Sequence, residues 1–466
     1  MKKLLCLLLL ISMNSSFAKI WLPSILSDNM VLQQNSNATI WGWTTSTSET
    51  ITVIGSWNNE KFTVTAHQGV WSLKLPTPKA GGPFIINING HEKIIIKNIM
   101  IGEVWLSSGQ SNMEWTPTMG LLNAEEEIKN AQYPNIRLFN ILKQKSETPQ
   151  DNVPGNWVAC SPETMKNFSS VAYFFGRKLH NDLSVPIGLV NSSWGGTPVE
   201  VWIPEEIYNN EKELKGEIDK LTEYAWWPKD PGVAYNAMIN PISHFNIAGT
   251  IWYQGESNRD NAFSYLKSFS LMIEAWRDQW KKEFPFYFVQ IAPFNYNSLS
   301  NLGAAVICEA QLQTMQTVPN TGMVVTNDIG NLKNIHPTNK QEVGRRLALW
   351  ALAKTYGIKN ISFSGPVYKS MEIRKRKIII NFNYVAGGLK TTGKSLTEFY
   401  IAGSDKIYYP AKAKIVGETV IVSSTEVKNP VGVRYAFSDT AEPNLFNSEG
   451  LPATAFRTDD WKIEFK

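Results

Sequence analysis

The chain has 466 residues, 43% hydrophobic, 18% charged and 12% aromatic. Two or three domains fit that length, at roughly 100–200 residues each, and the apolar content excludes a disordered chain. A formal charge of +4 gives no support for nucleic-acid binding, which needs a clustered basic surface.

Residues 1–18 read as a secretory signal peptide: Lys2 and Lys3 form a positive start, Leu4 to Ile11 an apolar run, and Ser16-Phe17-Ala18 a small-x-small cleavage signature. The run is about half the ~20 residues of a membrane span. Cleavage after Ala18 is expected to export a chain starting at Lys19, to the periplasm or the exterior, with no membrane span left in it. Cys160 and Cys308 then remain, either paired in an oxidising compartment or buried as free thiols. Two cysteines are no disulfide framework, and the lack of a CxxC or a close His/Cys cluster argues against structural zinc. The sequence leaves the oligomeric state open.

From Ile20 to about Asn98, short alternating runs (Thr39–Trp43, Thr50–Ile54, Lys61–Thr65, Val70–Leu75, Pro83–Asn89) are punctuated by Gly, Asn, Ser and Pro. This predicts an antiparallel β-sandwich module over 19–98. Over 99–358 the pattern changes to α/β. Apolar strands are expected at Glu103–Leu106, Ile187–Asn191, Gly249–Tyr253, Phe286–Ile291 and Gly322–Asn327. Helices are expected at Val171–Leu183, Phe263–Trp280, Ala304–Thr317 and Gln341–Ala353. Alternating strands and helices imply a parallel sheet flanked by helices. Residues 359–466 return to short strands, at Lys377–Phe382, Lys406–Tyr409 and Val420–Val422, and predict a second β-rich, sandwich-like module.

Four polar clusters follow apolar strands, where an open α/β sheet places its ligand site. They are Ser107 to Trp115 (with Gly109-Gln110-Ser111-Asn112-Met113), Asn191 to Thr197, Trp252 to Asn258, and Asn327 to Gly330 continuing through Ile335-His336-Pro337 to Lys340. The Gly-Gln-Ser-Asn-Met, Trp-Tyr-Gln-Gly-Glu-Ser-Asn and Ile-His-Pro runs resemble those of the sialate O-acetylesterases, secreted carbohydrate esterases of the SGNH-hydrolase superfamily. The resemblance covers about residues 20–357. It implies an SGNH-type sheet and a metal-independent serine esterase, with no cofactor, that removes acetyl groups from an O-acetylated sugar, sialic acid first.

A serine is a poor nucleophile until a base takes its proton. Ser111 is the nucleophile candidate. Of the five histidines, His67 and His91 sit on polar turns, His180 on a helical face, and His244 before a strand with a core role as its default. His336 lies in a loop ahead of a helix and is the base by elimination and by resemblance. The family pattern implies an oxyanion hole from the backbone N–H of Ser111, that of Gly195 or Gly196 (Gly196 preferred), and the Asn258 side chain. The superfamily's Asp three residues before the histidine is replaced by Lys333. Two ways of orienting His336 stay open: another carboxylate, Asp328 slightly preferred over Glu256, or a main-chain carbonyl in a Ser-His dyad. Gln110, Trp194, Glu256 and Arg259 are the expected substrate contacts. The set Trp115, Trp194, Trp202, Trp226, Trp227, Trp252 and Tyr253 suggests sugar stacking, although each ring taken singly suits core packing. Two other readings stand: an acetylesterase of xylan or another polysaccharide, and an inactive glycan-binding protein.

Overall fold

A computed structural model describes residues 19–298 and 300–464. The signal-peptide reading falls on residues 1–18, outside the described residues.

The N-terminal strands form where the alternation predicts. Asn37–Thr44 pairs with Ile20–Trp21 and Val70–Pro76 in one sheet, and Thr50–Gly55 pairs with Lys61–Thr65 and Gly81–Asn89 in another. Ile40 and Leu75 from the first and Val53 and Ile88 from the second enter one core.

Strand β1 (Lys93–Gly109) joins this module to the next. Its first half pairs antiparallel with Gly81–Asn89, and its second half is the centre of the α/β sheet. The expected division at 98/99 therefore falls inside one continuous strand.

The remaining strands of that sheet are β2 (Tyr133–Asn140), β3 (Trp157–Cys160), β4 (Ile187–Ser193), β5 (Gly249–Tyr253), β6 (Phe286–Val289) and β7 (Thr321–Val324), in the order β3-β2-β4-β1-β5-β6-β7. All pairings are parallel except β3 with β2, so the sheet is mixed rather than wholly parallel. Strands β2 and β3 are not among the sequence expectations. Pro134 and Arg137 interrupt the apolar run of β2, and Arg137 is accommodated because its Nε donates to the Pro134 carbonyl at 2.7 Å.

Successive residues of β1 face opposite sides. Val104 and Leu106 enter one core with α3 (Tyr265–Trp280) and α4 (Gly303–Thr317), while Trp105 enters the other with α2 (Ser170–Leu183) and α5 (Lys340–Trp350). Cys160 and Cys308 are unpaired, and burial raises both thiol pKa values, that of Cys160 to about 12. Among the described residues no helix is long and apolar enough to cross a membrane.

The C-terminal residues form two four-stranded sheets and a short pair around their own core, including Ile378, Ile401, Val420 and Val433. This module braces the α/β unit. Asp439 Oδ1 accepts the N–H groups of Ala304 (2.8 Å) and Ala305 (3.3 Å), capping α4 from outside its own chain segment. Arg457 Nε donates to Glu309 on the same helix at 2.6 Å. Replacing Asp439 with Ala strips that cap and is expected to lower the unfolding free energy by about 1–2 kcal/mol, read as an earlier urea midpoint.

Candidate active site

Strand β1 ends at Gly109, whose φ of +133° and close approach to Tyr253 leave no room for a side chain: a Cβ there would lie 2.2 Å from the Tyr253 carbonyl oxygen. Gln110 follows, and Ser111 opens the short helix α1 (Ser111–Glu114). The Ser111 hydroxyl lies 2.9 Å from His336 Nε2. The imidazole stacks on Trp115, with ring centroids 4.1 Å apart and planes 17° from parallel. Burial, reinforced by the nearby Lys340 cation, lowers the His336 pKa from 6.5 to about 4. At neutral pH the ring is neutral and able to accept a proton.

A cavity of about 570 Å³ opens over this pair, with Gln110, Gly196, Trp194, Trp227 and Arg259 in its walls. The other histidines lie elsewhere. His67 and His91 are exposed, His180 Nδ1 contacts the Val185 carbonyl at 2.7 Å, and His244 packs edge-on against Trp41 rather than in a hydrogen-bonded core position.

Neither expected carboxylate reaches the imidazole. Asp328 binds Arg346 through both oxygens, at 2.7 Å each, and among the described residues it makes no hydrogen bond to His336. An arginine fork satisfies a carboxylate in two directions at once, which removes Asp328 from the role preferred for it. Glu256 instead acts at one remove. Its Oε1 accepts Asn112 Nδ2 at 2.6 Å, and the same amide donates to the Ile335 carbonyl at 3.0 Å, one residue before His336. Lys340 Nζ donates to Asn112 Oδ1. Burial lowers the Lys340 pKa to about 7, against the opposing pull of Glu256, whose own pKa burial raises. Asn112 thus ties the helix that Ser111 opens to the loop that carries His336, with one buried ionisable group on each side.

Gly195 and Gly196 are distinguished by their hydrogen bonds. The Gly195 N–H donates to Glu114 Oε2 at 2.6 Å, and Glu114 Oε1 pairs with Lys143 at 2.5 Å. The Gly196 N–H has no protein acceptor among the described residues and lines the cavity. Gly196 also needs to be glycine: its φ is +84°, and a Cβ would lie 2.2 Å from the Trp227 ring. The Ser111 N–H stands at the first turn of α1, where no intrahelical acceptor exists.

Asn258 does not fit the role of an oxyanion donor. It is fully buried, does not line the cavity, and spends its amide hydrogens on Glu200 Oε2 (2.8 Å) and Asn261 Oδ1 (3.0 Å). Its Oδ1 accepts from Val199 N and Gln254 Nε2. The residue fastens the loop after Gly196 to the loop after β5. Gln110 is better placed for the vacated role. Its Oε1 accepts the N–H groups of Gly255 (3.2 Å) and Ser257 (3.3 Å), which fixes the amide's orientation. Its NH2 then has no protein acceptor among the described residues, in a side chain that lines the cavity.

Arg259 stacks on Tyr296 at 3.6 Å and has no ion pair among the described residues. Trp194 Nε1 donates to the Trp226 carbonyl at 3.2 Å. Trp202, Trp252 and Tyr253 are core residues, whereas Trp115, Trp194, Trp226 and Trp227 line the cavity. Asn112, Glu114 and Lys340 have no expected role in the sequence, although a charged or amide group one to four residues from Ser111 or His336 is a signal that could have found them.

With this geometry in view, the comparisons are specific. The sialic acid-specific acetylesterase family of carbohydrate esterases matches residues 101–353. The sialate O-acetylesterase of Rattus norvegicus is 32% identical over 445 residues, covering 82% of each chain. The chain belongs to this family. The sialate O-acetylesterase of Homo sapiens is 33% identical over 408 residues, covering 78% of this chain and 76% of the human one. A carbohydrate acetylesterase from Xanthomonas citri superposes with a TM-score of 0.87 at 35% identity, covering 95% of this chain and 100% of that one. As a member of this family, the protein is a carboxylic ester hydrolase of the carbohydrate-esterase kind.

The His336 environment makes a direct prediction. Because its folded pKa is depressed, the ring should stay neutral as pH falls through 6.5 and gain its proton only near pH 4. Imidazole resonances followed by NMR check this. Asp328→Asn should leave that midpoint in place, since Asp328 faces Arg346.

Proposed function

We propose that the protein removes O-acetyl groups from a carbohydrate, sialic acid first, through a Ser111–His336 dyad. The observation that carries this reading is the 2.9 Å contact between Ser111 Oγ and His336 Nε2 on the floor of an aromatic cavity. Ser111 Oγ attacks the acetyl carbonyl carbon while its proton passes to His336 Nε2. The C=O π bond opens and its oxygen takes the negative charge. The N–H groups of Ser111 and Gly196 and the Gln110 amide are available as donors to that oxygen, and one such donor is typically worth ~10²–10³ in rate. The tetrahedral centre then collapses. The ester C–O bond breaks, and His336 returns the proton to the departing sugar hydroxyl. Water, deprotonated by the same imidazole, attacks the acetyl carbonyl carbon; the Ser111 Oγ–acyl bond breaks, His336 returns the proton to Oγ, and acetate leaves.

Stacking on Trp115 and the Asn112–Ile335 hydrogen bond support a fixed imidazole without a carboxylate. The names of the rat and human relatives favour a sialic acid substrate. An inactive glycan-binding protein would have no need of the Ser111–His336 contact. The signal-like residues 1–18 support export, as proposed here, to the periplasm or beyond.

Ser111→Ala should cut acetate release from O-acetylated sialic acid at least about 10³-fold. Release at the wild-type rate would overturn the mechanism. Faster release from acetylated xylan than from acetylated sialic acid would overturn the substrate assignment and leave the mechanism standing.

A further inference from the structure

The catalytic cavity has an aromatic rim that deacetylation of a single small sugar does not require. Trp226 is 66% exposed and Tyr224 41% exposed, yet both line the same cavity as Ser111. Exposed apolar rings contiguous with a cavity, unlike hydrophobic residues scattered singly, offer an interaction surface. Tyr224, Trp226 and Trp227 form one cluster, with ring centroids 4.4–5.6 Å apart.

Two contacts hold this rim to the site. The Trp226 carbonyl accepts Trp194 Nε1 at 3.2 Å, and the Trp227 ring fills the space that a side chain on Gly196 would occupy. Inner and outer aromatics therefore keep a set spacing from the nucleophile. Thr222 and Asp260 line the same cavity and offer hydroxyl and carboxylate groups to sugar hydroxyls.

We propose that Trp226 and Tyr224 form a second sugar subsite, which stacks the unit glycosidically linked to the acetylated sugar. This rests on the carbohydrate reading above and deepens it: the preferred substrate is a glycan-linked acetylated sugar, not the free monosaccharide. The pyranose C–H face supplies the apolar surface, the exposed indole supplies the platform, and the occupant is fixed by continuity with the catalytic cavity.

The test compares kcat/KM for acetate release from O-acetylated sialyllactose and from free O-acetylated sialic acid, and in parallel from acetylated xylobiose and acetylated xylose. In the wild type the linked form of whichever sugar is hydrolysed should be preferred by about tenfold, the size of one good aromatic contact. Trp226→Ala should bring that ratio near one, and Trp226→Phe should keep most of it. The ratio is read within each variant, so a change common to both substrates does not enter. A wild-type ratio near one, or a ratio that Trp226→Ala leaves unchanged, overturns the subsite. Turnover of only the xylose pair would fail the sialic acid assignment and still decide the subsite. Should the alanine variant not fold, the wild-type ratio and the phenylalanine variant decide it.

Discussion

Ser111 and His336 are 225 residues apart in sequence, and the hydrogen bond between them depends on where strand β1 stops. That strand enters from the N-terminal module, becomes the centre of the mixed sheet, and ends at a glycine packed against the Tyr253 backbone. Serine follows two residues later, at the carboxyl edge where β4 and β5 also end. The loops after these neighbours carry Gly196 on one side and Glu256 on the other. Burial of residues 101–109 anchors the strand, so the position of the nucleophile is set by the core of the whole sheet rather than by its own short helix.

The site's electrostatics differ from those of a serine triad. No carboxylate is hydrogen-bonded to His336 among the described residues, and burial, reinforced by the Lys340 cation, disfavours the imidazolium. The ring is thereby kept in its proton-accepting form over a wide pH range, at a cost in intrinsic basicity. Positioning, the other task of a triad carboxylate, falls to Trp115 and to Asn112, which bridges Glu256, Lys340 and the Ile335 carbonyl.

Strands β1, β4, β5, β6 and β7 were legible as apolar runs, and helices α2 to α5 as longer stretches between them. The edge pair β2 and β3 was not, since Pro134 and Arg137 break the apolar pattern and their accommodation is a tertiary event. Motif context singled out Ser111 and His336, which the structure brings to 2.9 Å. Partner choice was not: Asp328 and Asn258 are the residue types the chemistry wants, but Arg346 claims the first and Glu200 with Asn261 claims the second. A sequence gives the supply of carboxylates and amides; the competition for them is settled only by packing. The same holds for the tryptophans: Trp202 and Trp252 are buried in the core, and Trp115, Trp194, Trp226 and Trp227 line the cavity.

Covalent labelling of Ser111 tests this arrangement directly. A fluorophosphonate, followed by mass spectrometry of the peptide, should modify Ser111, and the labelling rate should rise with pH through about 4 as His336 loses its proton. His336→Ala should slow that labelling at least about 10²-fold, the lower range of general-base assistance. Labelling at another residue, or a Ser111 rate indifferent to His336→Ala, would contradict the account.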